Sequence, residues 1–203
     1  DKKVIIQGWG NVAGSAAYYL SQQGAIIVGI IDKNGGVLNT KGYKFEEIKS
    51  LLNNRSSNFL ETDNMMSFEK INEKIWRIGA EIFIPAAASR LLSQNQLNLM
   101  IENGLEVISS GANVPFADKE IFFGSISRSA DEQVSVIPDF IANCGMARVF
   151  AYLMEDDIEI KDTAIFTDTS NTIKSALQRT YNKNNSKLNI SKTAMEIALN
   201  QLI

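Results

Sequence analysis

The chain contains no histidine. That absence removes imidazole acid–base chemistry, Ser-His-Asp triads and the usual histidine-ligated zinc sites. A single cysteine, Cys144, excludes an internal disulfide framework and fits a reducing, cytoplasmic compartment. With no histidine to activate it, Cys144 reads as a small packing residue, not a nucleophile. No apolar stretch approaches the roughly 20 residues needed to cross a bilayer, and no signal peptide is expected. Lysine and arginine number 20 against 23 acids, a net charge of −3 with no dense basic run. That balance gives no electrostatic case for nucleic acid or a membrane surface.

What remains is the composition of a soluble globular protein, 45% hydrophobic and 21% charged. A length of 203 residues suits one substantial α/β domain with a helical extension. The chain begins at Asp1 and enters a strand two residues later, which reads as a piece of something longer with its missing part upstream.

The opening segment Val4-Ile5-Ile6-Gln7-Gly8-Trp9-Gly10-Asn11-Val12-Ala13 runs an apolar strand into a glycine-punctuated turn and then a helix-like stretch. This is the order of a dinucleotide-binding turn. Gly8 permits the tight turn, Gly10 lets backbone approach a pyrophosphate, and a small residue at Ala13 lets helix and strand pack closely. The helix start directs unpaired N–H groups and a positive dipole end at the phosphates.

The next apolar strand, Ala25 to Ile31, ends at Asp32, nineteen positions after Ala13. A carboxylate near that spacing accepts hydrogen bonds from the adenosine ribose hydroxyls and repels a 2′-phosphate, so NAD is expected over NADP. The plainer reading makes Asp32 the start of an ordinary turn, Asp32 to Gly36.

Downstream, helices are expected over 43–52, 68–76, 94–103, 119–129, 141–156, 169–182 and 191–202, and strands over 81–85, 106–109 and 134–138. Residues 53–68 are polar and irregular and read as a surface connection. Trp76 reads as a core-edge residue. Strands alternating with helices predict an α/β, Rossmann-like doubly wound sheet, mostly parallel, helices on both faces, with ligands beyond the carboxyl ends of the strands. About 1–156 form that core and 157–203 a C-terminal helical extension.

Three strand ends should therefore converge. Pro85-Ala86-Ala87-Ala88-Ser89 is small enough for a flat ring or ribose to lie against backbone. Gly111-Ala112-Asn113 carries an amide suited to a nicotinamide carboxamide, which needs one donor and one acceptor. Pro138-Asp139-Phe140-Ile141-Ala142-Asn143 opens a helix, with Asn143 either a cap or a second amide facing the ring.

In order and spacing, Gly8-Trp9-Gly10-Asn11-Val12-Ala13, Ile84-Pro85-Ala86-Ala87, Gly111-Ala112-Asn113-x-Pro115 and Pro138-Asp139-Phe140-Ile141-Ala142-Asn143-x-Gly145 resemble the cofactor domain of the glutamate/leucine/phenylalanine/valine dehydrogenase family, glutamate dehydrogenases most of all. The resemblance implies oxidative deamination of an L-amino acid to a 2-oxo acid and ammonia, with a hydride passed to NAD. By resemblance Gly8, Gly10, Asn11 and Val12 line the pyrophosphate, Asp32 the adenosine ribose, Ala86 and Ala87 the second ribose, and Asn113 and Asn143 the nicotinamide. The resemblance places the closing helices back toward the family's other domain.

Ala13 stands where glycine is common in the family, and Met146 where a second glycine is frequent. Phe150 aligns with a serine that contacts the substrate carboxylate in glutamate-using members. The family's catalytic lysine and aspartate lie in a separate N-terminal domain, and nothing of that kind appears here. The chain is therefore expected to bind cofactor without turning over alone, as a monomer cut from a homo-oligomeric parent. The alternatives are a non-catalytic NAD- or nucleotide-binding sensor, or another enzyme on the same fold.

Overall fold

The computed structural model describes residues 1–201. Six strands form one sheet in the order β3-β2-β1-β4-β5-β6. They are β1 (Lys3–Gln7), β2 (Ile26–Asp32), β3 (Gly35–Tyr43), β4 (Ile82–Pro85), β5 (Val107–Ser109) and β6 (Ser135–Ile137). All neighbours are parallel except β2 and β3. The strand order reverses between β1 and β4, where the carboxyl ends of two parallel strands open a crevice.

Alternation along β1 divides the core. Val4 and Ile6 face one layer with Ala13 and Ala17 of α1 (Asn11–Gln22) and Ile48 of α2 (Phe45–Asn53). Ile5 faces the other, with Ile71 of α3 (Phe68–Lys74), Ile75, Trp76, Phe83 and Leu97 of α4 (Gln94–Glu102). Each such isoleucine or leucine, fully buried, contributes about 1.5–3 kcal/mol of transfer free energy. Trp76 is buried in this layer where it borders a cleft, a core-edge position as expected, and meets Phe83 edge-on at 5.7 Å. The doubly wound sheet with helices on both faces is as expected.

Several local expectations are corrected. β3 begins in the residues read as a turn and ends on the first residue of the expected helix 43–52. It folds back antiparallel through Asp32-Lys33-Asn34-Gly35, and its end Tyr43 pairs with Ile27, so α2 starts only at Phe45. Gly35 has φ +142°, and a Cβ there would strike the carbonyl of Met66, which bridges to Gly36. The 54–67 connection is likewise more than surface: Leu60 is fully buried in the α1–α2 layer.

The expected helix 119–129 starts later, as α5 (Ser125–Gln133). Its first free N–H groups, on Ile126 and Ser127, donate to the buried Asp118 carboxylate at 2.8 and 2.9 Å. An acceptor fixed upstream thus sets where the helix begins. The expected helix 141–156 is two: α6 (Asp139–Ala142) and α7 (Gly145–Leu153), broken at Asn143 and Cys144.

Helix α8 (Asp162–Lys183) begins a full two turns before the apolar pattern suggests, and α9 (Ile190–Asn200) ends at 200, with residue 202 of the expected span outside the described residues. The Asp131 carboxylate caps α9 by accepting from Ser191 and Lys192 N–H, both at 2.9 Å. Arg148 of α7 forks onto Asp168 of α8, Nε to Oδ2 at 2.6 Å and Nη2 to Oδ1 at 2.7 Å. Phe166 of α8 reaches Tyr19 of α1, ring centroids 6.2 Å apart. No described helix is long and apolar enough to cross a membrane.

Candidate cofactor site

A cleft of about 560 Å3 opens at the carboxyl ends of β1, β2 and β4. Gly8, Gly10, Asp32, Ala86 and Ala87 all line it. Gly8 has φ +101°, and a Cβ there would lie 2.8 Å from the carbonyl oxygen of Ala86. Two strand ends therefore touch backbone to backbone at this point. Gly10 caps α1, and a Cβ on it would meet nothing within 4 Å. The space left open stands over the free N–H groups of the helix, where an anion is favoured. A diphosphate fits these residues.

Ala13 is fully buried against the strands, as the close packing requires. The next residue, Gly14, faces α2: a Cβ there would lie 2.6 Å from Leu52 Cδ1. Asp32 is nearly buried, and its carboxylate is held by two backbone donors, Lys33 N–H at 2.7 Å and Leu60 N–H at 2.9 Å. Those bonds fix its orientation and leave lone pairs for ribose hydroxyls. The turn reading is met by the bond from Lys33 N–H.

The remaining expected residues continue along the same edge. Gly111 packs against Ala86 and Val12: a Cβ on it would lie 3.0 Å from Ala86 Cβ and 3.1 Å from Val12 Cγ1. Ala112 N–H donates to Pro85 O at 2.7 Å. Beyond it Asn143 Nδ2 donates to Asn113 Oδ1 at 2.9 Å. Asp139, the first residue of α6, ties to the same loop after β5, accepting from Val114 N–H at 2.8 Å. The order along the edge is therefore Asp32, the Gly8–Gly10 turn, Val12 with Ala86, Gly111, then the two asparagines. Asn113 and Asn143 do not line the large cleft; they meet each other at the far end of this row.

Phe150 is not brought into the cleft; it stands on α7, 60% exposed. Burial pushes the Cys144 thiol up from its ordinary range, the direction opposite to an activated nucleophile. Among the described residues no cluster of acids and cysteine is arranged to hold a metal ion.

Sequence reading missed several residues here. Arg55 donates from Nη1 to Trp9 O at 3.2 Å and from Nη2 to Asn11 Oδ1 at 2.7 Å, buttressing the glycine turn from a connection read as a plain loop. Lys33 Nζ stands 3.7 Å over the Phe59 ring. Asn72, Leu91 and Gln96 line the cleft opposite the turn. Apart from Asn72, which has Trp76 four residues on, no local pattern announces these positions, because each is delivered by tertiary folding.

The family model for Glutamate/Leucine/Phenylalanine/Valine dehydrogenase matches residues 1–203. The chain belongs to this family. Among its relatives, the NADP-specific glutamate dehydrogenase of Psychrobacter sp. (strain TAD1) is 30% identical over 159 residues, 77% of this chain and 34% of that protein. The NAD-specific glutamate dehydrogenase A of Halobacterium salinarum is 28% identical over 158 residues, 78% of this chain and 34% of that protein. This family member thus spans about a third of the length of these relatives. A crystal structure of hetero-hexameric glutamate dehydrogenase from Thermus thermophilus shares the fold, with TM-score 0.70, 18% identity, and coverage of 99% of this chain and 46% of that one.

Proposed function

We propose that this chain is the NAD-binding part of an amino-acid dehydrogenase that oxidatively deaminates an L-amino acid, glutamate in the first instance. One observation carries the reading: Gly8, Gly10, Asp32, Ala86 and Ala87, from three strand ends, line a single cleft at the switch point of the sheet. Family membership and the glutamate dehydrogenase relatives support the reaction class.

When bound, a nicotinamide dinucleotide supplies the hydride acceptor. The chain's own residues bind and orient. Backbone N–H groups opening α1, from Asn11 and Val12, hold the diphosphate over Gly10. Asp32 accepts from the adenosine ribose and disfavours a 2′-phosphate. Ala86 and Ala87 leave room for the second ribose, and Asn113 with Asn143 addresses the carboxamide. No residue here is assigned to proton transfer. That task belongs to the lysine and aspartate of an N-terminal domain outside this chain, so the chain alone binds and does not turn over.

Relatives specific for NAD and for NADP both occur, so the preference for NAD rests on Asp32. The parent is read as a cytoplasmic homo-oligomer and this chain by itself as a monomer. A non-catalytic sensor of NAD or a related nucleotide is the second reading, favoured by Phe150 standing exposed where a serine is expected of a glutamate-binding enzyme.

Calorimetric titration with NADH and, separately, NADPH tests the cofactor. Saturable NADH binding with NADPH at least about tenfold weaker, some 1.4 kcal/mol, is expected. Equal affinities would remove the role given to Asp32, and no binding of either would remove the cofactor. Assay of the full-length parent with glutamate, leucine and phenylalanine then separates enzyme from sensor.

A further inference from the structure

The wall of the large cleft opposite the glycine turn carries a polar group whose orientation is fixed. Asn72 of α3 accepts at Oδ1 from the indole N–H of Trp76 at 3.0 Å and from Gln96 Nε2 at 3.4 Å. Neither donor is free to turn. Trp76 is buried against Phe83, and Gln96 is locked in the cap of α4, its Oε1 accepting from Ser93 N–H at 2.9 Å and Ser93 Oγ at 3.0 Å. With the carbonyl side engaged twice, the Asn72 NH2 group is left facing the cleft, and among the described residues no acceptor meets it. The surrounding lining is largely apolar: Phe59, Phe68, Ala88 and Leu91. A slot with apolar walls and one oriented donor suits a flat heterocycle that presents an acceptor nitrogen.

We infer that Asn72 is a specificity-determining residue that donates from Nδ2 to N1 of an adenine ring bound between these walls. The inference rests on the cofactor reading above and adds to it the residue that reads the base. With the ribose held at Asp32, the base edge pointing away from the glycosidic nitrogen is the one bearing N1 and the 6-amino group. In adenine N1 is an acceptor. In hypoxanthine N1 carries a proton and the 6-position is a carbonyl, so two donors would face each other at N1. A donor left without its acceptor loses affinity because it is desolvated and unpaired.

The test is calorimetric titration of the chain with NADH and with reduced nicotinamide hypoxanthine dinucleotide. The wild type is expected to bind NADH about tenfold more tightly. Asn72→Leu removes the donor and brings the ratio to about one, chiefly by weakening NADH. Asn72→Asp keeps an acceptor for Trp76 and Gln96 while replacing the donor, and the ratio inverts in favour of hypoxanthine. A merely structural role for Asn72 would weaken both ligands together. If NADH binds the wild type and the ratio is unmoved in both variants, this inference is overturned and the cofactor reading stands. If NADH does not bind the wild type, both fall.

Discussion

Asn143 donates its side-chain amide hydrogen to the side-chain carbonyl of Asn113 across 2.9 Å, joining the break between α6 and α7 to the loop that follows β5. The bond uses one donor from one residue and one acceptor from the other. It leaves Asn113 with a free NH2 and Asn143 with a free carbonyl oxygen. Side by side, these form the complement of a carboxamide, which needs one donor and one acceptor.

The pair therefore predicts a selective defect. Asn113→Leu removes the donor and Asn143→Leu the acceptor, and each should weaken NADH about tenfold, the worth of one hydrogen bond near 1.4 kcal/mol. ADP-ribose, which lacks the nicotinamide, should bind both variants as it binds the wild type. An equal loss for ADP-ribose would mean that the pair supports the fold of the loops and not the ring.

Much of this edge was legible in the sequence because it depends on short-range rules. Apolar runs mark strands, and Gly8, Gly111 and the prolines mark where they stop. The order of strand ends then follows from the handedness of the connections. β3 was not legible. Its residues Asn39, Thr40 and Lys41 are polar because it is an edge strand with only β2 to pair with. The start of α5 and the break at Asn143 also escaped, since Asp118 and Asn113 act from outside those helices. Asn72 carried one faint local sign, Trp76 four residues on, but its partner Gln96 is brought beside it only by packing.

The two glycines of the turn should fail in different ways. Gly10→Ala places a Cβ into open space, so folding changes by less than about 1 kcal/mol. The same Cβ stands where the diphosphate is proposed to approach, and NADH affinity should fall at least about tenfold. Gly8→Ala instead forces a side chain onto φ +101° and against Ala86 O at 2.8 Å. It should destabilise the fold by about 1–3 kcal/mol with or without ligand. Urea melts beside calorimetry distinguish the two, and a Gly10→Ala variant that binds normally would argue against a diphosphate there.

Asp32 serves the fold and the proposed site at once, which shapes how it must be tested. Asp32→Ala leaves the backbone N–H of fully buried Leu60 without its acceptor, at a cost of about 1–3 kcal/mol. Asp32→Asn keeps an oxygen for Leu60, turns its NH2 toward Lys33 N–H in place of the second acceptor, and removes the charge that disfavours a 2′-phosphate. The asparagine variant should therefore lose less Tm than the alanine variant while the NADH-to-NADPH affinity ratio falls severalfold. A ratio that holds in a folded Asp32→Asn protein would place cofactor preference elsewhere, with Lys33 over Phe59 the nearest alternative.

The tie between α7 and α8 predicts an acid dependence whose sign follows from one carboxylate. The fork from Arg148 holds the Asp168 carboxyl below its ordinary range, through hydrogen bonds first and charge second. A lowered folded pKa means that the ionised form is favoured by folding. Its contribution is present above the unfolded value of about 3.9 and is lost as the pH falls through the lower folded value. Asp168→Asn should accordingly melt at a lower temperature than the wild type at pH 7, and the difference should close as the pH drops below about 4. Glu155, 2.9 Å from Arg148 Nη1, stays in the variant and limits the loss. Both groups are partly solvated, so added salt should shrink the pH 7 difference as well. A difference that persists unchanged at about pH 3 and in high salt would show that the Asp168→Asn variant fails by packing, and the fork would then carry shape and not charge.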